Sequence, residues 1–239
     1  MPENKIDLFP ISMKFQTNSF PWVQSENEVL DFKTPWDLIR YFSDKDSDDN
    51  GRYQTYIDQE LKRHSEVRNW HRKRTKFSKL PHFSKYKGAA YDVYHSAARK
   101  VYSGAASVEE KRLFDGLRDE IEDHGLLAPV GQTVFHGRAD DNLSTQVPYA
   151  SFVSTSLDPV VAVLSAVRRH CALPEKSQKY VYLLHLLQEI PVLWGHWRNV
   201  PEWELLLPPG LVFEVLRKHS GPNFAIIEAT VARVWTHNQ

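Results

Sequence analysis

Two pairs of side chains have the types and spacing for chemistry. Glu202 and Glu204 open an apolar segment, Trp203 to Leu207, that stops at a turn made of Pro208, Pro209 and Gly210. In an extended strand, side chains two apart share a face, so both carboxylates point one way while Trp203 and the leucines anchor the strand. Upstream, Ser154 and Ser156 flank Thr155 and stand in the same relation to each other. One hydroxyl can hydrogen-bond and position a carboxylate while the other supports the strand end. Neither pair decides anything alone. Alternating charge is ordinary on a solvent-facing strand, and Ser-Thr-Ser before Asp158 and Pro159 is also a good loop and helix start.

Taken in order, Ser-Thr-Ser, then Glu-x-Glu, then Leu207, Pro208, Pro209 and Gly210 resemble the mono-ADP-ribosyltransferases related to bacterial toxins. That family's motif set is Arg, then Ser-Thr-Ser, then Glu-x-Glu, and the resemblance covers residues 86 to 239. It implies an enzyme with NAD+ as co-substrate and no metal. Breaking the bond between nicotinamide and ribose leaves positive charge on the sugar, as in glycoside chemistry. By resemblance, Glu204 is the carboxylate that stabilises this charge and fixes the ribose. Glu202 would face the acceptor. A carboxylate beside an always-charged guanidinium can orient it and take its proton, and in the family Glu at this position goes with arginine acceptors. Ser154 is implied as the catalytic hydroxyl, with Thr155 and Ser156 beside it in the NAD site. Phe152 fits the aromatic that precedes them.

The first motif departs from the family. The segment runs Thr133, Val134, Phe135, His136, Gly137, Arg138, so His136 takes the arginine's place and Arg138 follows two residues later. An aromatic-His-Gly start is similar to the diphtheria-toxin and poly-ADP-ribose-polymerase branch, whose histidine contacts the adenosine ribose. That branch lacks a Ser-Thr-Ser strand. Three readings stand: His136 and Gly137 bind NAD with Arg138 assisting, Arg138 replaces the arginine at the phosphates, or the site is degraded. The last would leave a catalytically silent module that binds nucleic acid or ADP-ribose. Trp194 and Trp197 fall where the family carries its acceptor-recognition loop, and suit either stacking on an acceptor or capping the core.

Elements that could hold these residues are visible in the pattern. Thr34 and Pro35 start a helix, and a second is expected from Tyr53 into a basic stretch. The pattern breaks around Pro81 and Gly88, after which Tyr91, Tyr94, Ala98 and Val101 fall at helical spacing. Ser107 and Glu110 form a capping box for a helix with Leu113, Leu117 and Ile121 as its stripe and Gly125 at its end. Beyond residue 130, strands are expected at 134–136, 149–154, 180–187, 203–207, 211–216 and 224–234. They are interrupted by one apolar helix, Val160 to Val167, with Asp158 as N-cap. Helices first and strands later predict an α+β protein: N-terminal helices, then a mixed β-sandwich core. The expected division is an extension over 1–85 and a transferase domain over 86–239.

The chain has 239 residues, zero formal net charge and one cysteine, Cys171. A lone cysteine excludes an intrachain disulfide and fits a reducing compartment, so a cytoplasmic site of action is expected, with no membrane partner. Charge is unevenly spread: between Lys62 and Lys87 stand ten Lys or Arg against Glu66 alone. Trp70, Phe77, Phe83 and Tyr86 are interleaved with them. Cations plus aromatic faces suit single-stranded nucleic acid, with Arg72, Lys73 and Arg74 as acceptor contacts; most such runs are only solvated faces. The same stretch suits an acidic antitoxin or immunity protein. Protein arginine and an RNA or DNA base therefore both stand as acceptors.

Overall fold

The computed structural model describes residues 14–16, 29–44, 80–138, 148–169, 178–195 and 203–234. Glu202, Trp197, Arg72, Lys73, Arg74 and the helix expected from Tyr53 lie outside them. Two short antiparallel strands, β1 (Lys14–Gln16) and β2 (Val29–Asp31), come first, followed by helix α1 (Pro35–Asp44). Helices α2 (Pro81–Lys85), α3 (Tyr91–Tyr102) and α4 (Val108–His124) come next, with a π-helical turn, Tyr86–Ala90, between α2 and α3. The rest is β3 (Leu126–Ala128), β4 (Thr133–Arg138), β5 (Val153–Ser156), helix α5 (Pro159–Arg169), β6 (Tyr180–Leu186), β7 (Ile190–Gly195), β8 (Glu204–Leu207), β9 (Leu211–Ser220) and β10 (Ala225–Arg233). This is the α+β architecture expected.

The eight later strands are ordered β3-β7-β8-β5-β4-β6-β10-β9, with β10 parallel to β6 and every other neighbour antiparallel. Between β5 and β4 the ladder narrows to one residue pair, Phe135 with Ser156. Two four-stranded halves therefore meet at the residues whose chemistry drew attention in the sequence.

Two apolar layers hold the halves. Leu193, Leu206 and Phe152 pack with Phe83, Tyr94, Phe114, Leu117 and Ile121 beneath α2, α3 and α4. Their sequence neighbours Trp194, Leu205, Leu207 and Val153 turn to the other layer, with α1, α5, β4, β6 and β10. Strand parity does the sorting. Because Glu204 shares a face with Leu206, and Ser154 with Phe152, both polar side chains are delivered to the layer of α2–α4.

Local chemistry sets the ends. Ser107 and Glu110 form the expected capping box at α4. The Asp158 carboxylate accepts from Val160 N at 2.8 Å, capping α5. Gly125 ends α4, but its backbone is extended rather than left-handed. A Cβ there would lie 2.2 Å from Ile121 O in the last turn of α4 and 3.1 Å from Val192 N on β7, so the helix's own carbonyl, with β7 close behind, explains the glycine.

Helix α1, from the expected N-terminal extension, packs against the later strands. Trp36, Leu38, Ile39 and Phe42 of α1 lie in the same buried layer as Val134 and Ile226. Ser43 Oγ donates to Phe224 O at 2.6 Å, and Asn223 N donates to Ser43 O. Each such apolar side chain contributes about 1.5–3 kcal/mol on burial, which makes α1 part of the core. Segment 190–195, where no strand is expected and where Trp194 points to the acceptor-recognition loop, is strand β7. The strand expected at 149–154 begins only at Val153, with Tyr149 making an isolated bridge to Leu211.

Candidate active site

Glu204 opens β8 and is 4% exposed. The residue before it, Trp203, is buried with φ of 48°, a left-handed backbone that a bulky side chain adopts at a cost of about 1–3 kcal/mol. Its ring meets Trp194 edge-on at 6.3 Å, and its carbonyl accepts from Leu157 N at 3.1 Å. Packing thus holds a strained residue directly beside the carboxylate.

Both carboxylate oxygens are engaged. Ser154 Oγ donates to Oε1, and the Lys87 ammonium pairs with Oε2. Ser154 faces Leu206 in the ladder and Ser156 faces Glu204, so the Ser154 contact is the diagonal cross-strand neighbour. A buried carboxylate is costly unless it is paired and hydrogen-bonded; here it is both.

Lys87 arrives from the π-helical turn. Glu120, a buried carboxylate on α4, anchors the helix before that turn by accepting from His82 N at 2.8 Å and Phe83 N at 2.7 Å, the first amides of α2. Tyr94 on α3 meets Tyr86 edge-on and hydrogen-bonds the His82 ring at 3.1 Å. Burial, then the Glu120 charge, push the Tyr94 phenol up to about 12. Gly195, at the end of β7, clears space for the pair. A Cβ there would lie 2.8 Å from Glu204 Oε2, 3.1 Å from Phe83 Cζ and 3.3 Å from Lys87 Cδ.

His136 on β4 reaches Ser154 through the backbone. Its Nδ1 donates to the Ser154 carbonyl, which fixes the tautomer, and its ring lies 6.0 Å from that of Tyr182. Arg138 donates from Nη1 to Tyr149 Oη at 2.7 Å, its guanidinium 6.0 Å from that ring.

Several expected contacts take other roles. The Thr155 hydroxyl is buried and donates to Leu205 O at 2.7 Å, so it ties β5 to β8 rather than facing a ligand. Ser156 Oγ accepts from Asp158 N at 3.0 Å and supports the start of α5. Gly137 is a packing residue: a Cβ would sit 1.8 Å from Ala162 O and 2.7 Å from Ala166 N on α5. Trp194, 2% exposed, packs edge-on against Trp203 in the core, as the core-capping alternative expects.

Lys87, Glu120 and Gly195 were not anticipated. Lys87 was indistinguishable from nine other cations in its stretch. Gly195 had one signal, an isolated glycine beside strand-like residues, which often marks close approach.

No protein-family model and no curated protein sequence matches the chain. Solved structures do. The Vis toxin, an ADP-ribosyltransferase from Vibrio splendidus, superposes with a TM-score of 0.52 at 16% identity, over 84% of this chain and 92% of that one. Vis in complex with agmatine gives 0.54 at 13%, covering 82% and 91%. The C3 exoenzyme of Clostridium limosum gives 0.50 at 12%, covering 70% and 94%. The fold is that of the toxin ADP-ribosyltransferases.

Proposed function

We propose that the protein is an NAD-dependent mono-ADP-ribosyltransferase that modifies a macromolecule at arginine. The observation that carries this is the buried Glu204 carboxylate, held by Ser154 where the two halves of the sheet meet. The donor set fits NAD: a carboxylate for a ribose hydroxyl and developing positive charge, with His136 hydrogen-bonded to the carbonyl of the same Ser154. NAD supplies an N-glycosidic bond whose nicotinamide leaves as a neutral base with the bonding electron pair.

The chain's residues do the rest. Glu204 holds negative charge beside the sugar carbon, and Ser154 keeps that carboxylate oriented. Glu202 accepts the proton that the acceptor nitrogen loses as its lone pair forms the new bond, and passes it to water. Burial of Glu204 strengthens its interaction with charge at the sugar relative to water.

Two observations favour a guanidinium acceptor. Glu202 lies two residues before Glu204, and Vis, which shares the fold, has been solved with agmatine, itself a guanidinium compound. A nucleic-acid acceptor rests on residues 62–87, and Lys87 of that stretch is engaged with Glu204. Action in the cytoplasm fits a chain with one cysteine. Labelled NAD incubated with cell lysate, followed by separate protease and nuclease digestion, tests the reading. Protease should release the label. Release by nuclease would move the acceptor to nucleic acid, and no label at all would overturn the activity.

A further inference from the structure

We propose that Lys87 is a phosphate-binding residue of the NAD site, held on Glu204 in the free protein and passed to the dinucleotide's pyrophosphate on binding. This rests on the NAD reading above and names a residue that neither the motif set nor the fold assigns.

Charge is the first argument. In the free protein a carboxylate as buried as Glu204 requires a counter-ion, and Lys87 is in contact with it. The nicotinamide riboside half of NAD is itself cationic and must approach the same carboxylate. Two cations at one carboxylate repel, while the two phosphate charges attached through the same sugar attract the ammonium. The exchange conserves pairing: carboxylate with ribosyl cation, ammonium with phosphate.

Geometry is the second. The pyrophosphate joins the nicotinamide ribose at its 5′ carbon, a few bonds from the hydroxyls a carboxylate would hold, so a four-carbon side chain can serve either partner. Lysine is the mobile point-charge phosphate binder of the two long cations. Its stem runs past the space that Gly195 leaves open. The residue after it, Gly88, breaks the helical backbone with φ of −76° and ψ of −119°, and among the described residues nothing lies within 4 Å of where its Cβ would be.

On β4 the polar side chains are engaged with protein groups. His136 uses Nδ1–H on the Ser154 carbonyl, and Arg138 uses Nη1 on Tyr149. Lys87 stands at the Glu204 carboxylate itself.

The test is binding without turnover, in a Glu204→Gln background where Lys87 has no carboxylate to position and its removal orphans no buried charge. Calorimetric titration compares Glu204→Gln with Glu204→Gln/Lys87→Met for NAD, ADP-ribose and nicotinamide riboside. Loss of Lys87 should weaken NAD and ADP-ribose about tenfold or more, the scale of one charge-assisted hydrogen bond. The riboside, which has no phosphate, should change less than about twofold, and salt dependence for NAD should flatten. Lys87→Arg in the same background keeps the cation and should retain most of the affinity. Equal weakening of all three ligands, or none, overturns the assignment. If the wild-type protein binds neither NAD nor ADP-ribose, the NAD reading itself fails.

Discussion

Replacing Gly195 by alanine tests whether the site is shaped as described. The added Cβ would stand 2.8 Å from Glu204 Oε2, 3.1 Å from Phe83 Cζ and 3.3 Å from Lys87 Cδ. Comfortable carbon–oxygen contact begins near ~3.3 Å, so the carboxylate must retreat by roughly 0.5 Å. All three obstacles are parts of side chains, so the fold can yield at a cost of about 1–2 kcal/mol. Catalysis is less tolerant. If a 1 Å misplacement costs about a hundredfold, half of that costs about tenfold. Nicotinamide release across a range of NAD concentrations should show that loss in kcat, while melting falls by no more than about 4–8 °C. An unchanged rate would refute the claim that Gly195 gives the carboxylate its room. A variant that no longer folds would show that the glycine serves packing instead.

Gly137→Ala should behave in the opposite way: its Cβ meets the α5 backbone at 1.8 Å, so melting or soluble yield should collapse, by about 3 kcal/mol or more, before any specific effect on NAD affinity. Glu202→Gln is expected to abolish transfer to arginine while leaving NAD hydrolysis; separate assays of labelled acceptor and free ADP-ribose check this, and equal loss of both would refute an acceptor-facing role. Tyr94 gives a pH signature. Burial and then Glu120 raise its phenol from 10.0 to about 12, so its stabilising contribution is complete below pH 10 and is lost as pH rises towards 12. Tyr94→Phe should therefore lose less melting temperature than the wild type across that window.

Local signals carried much of the fold. The capping box at Ser107, the Asp158 cap and the alternation around Ser154 and Glu204 are readable because each rests on neighbours within four residues. Parity also predicted that Ser154 could reach a carboxylate. What escaped was tertiary. Nothing within the basic stretch distinguishes Lys87 from Lys85; only the placement of α2 by Glu120, more than thirty residues away, turns it onto Glu204. Trp194 reads equally as anchor or as acceptor platform until β7 is known to lie inside the sheet. The glycine of the first motif looked like a ligand-approach residue, but its space is taken by the α5 backbone.

On the proposed reading, the buried Glu204 carboxylate drives cleavage of the nicotinamide–ribose bond. The direct measurement is nicotinamide release from NAD by the wild-type protein and by Glu204→Gln, with melting curves recorded on both. The wild type should release nicotinamide, and the variant should lose at least about a hundredfold in rate while remaining folded. A folded Glu204→Gln protein that releases nicotinamide at the wild-type rate would contradict the account.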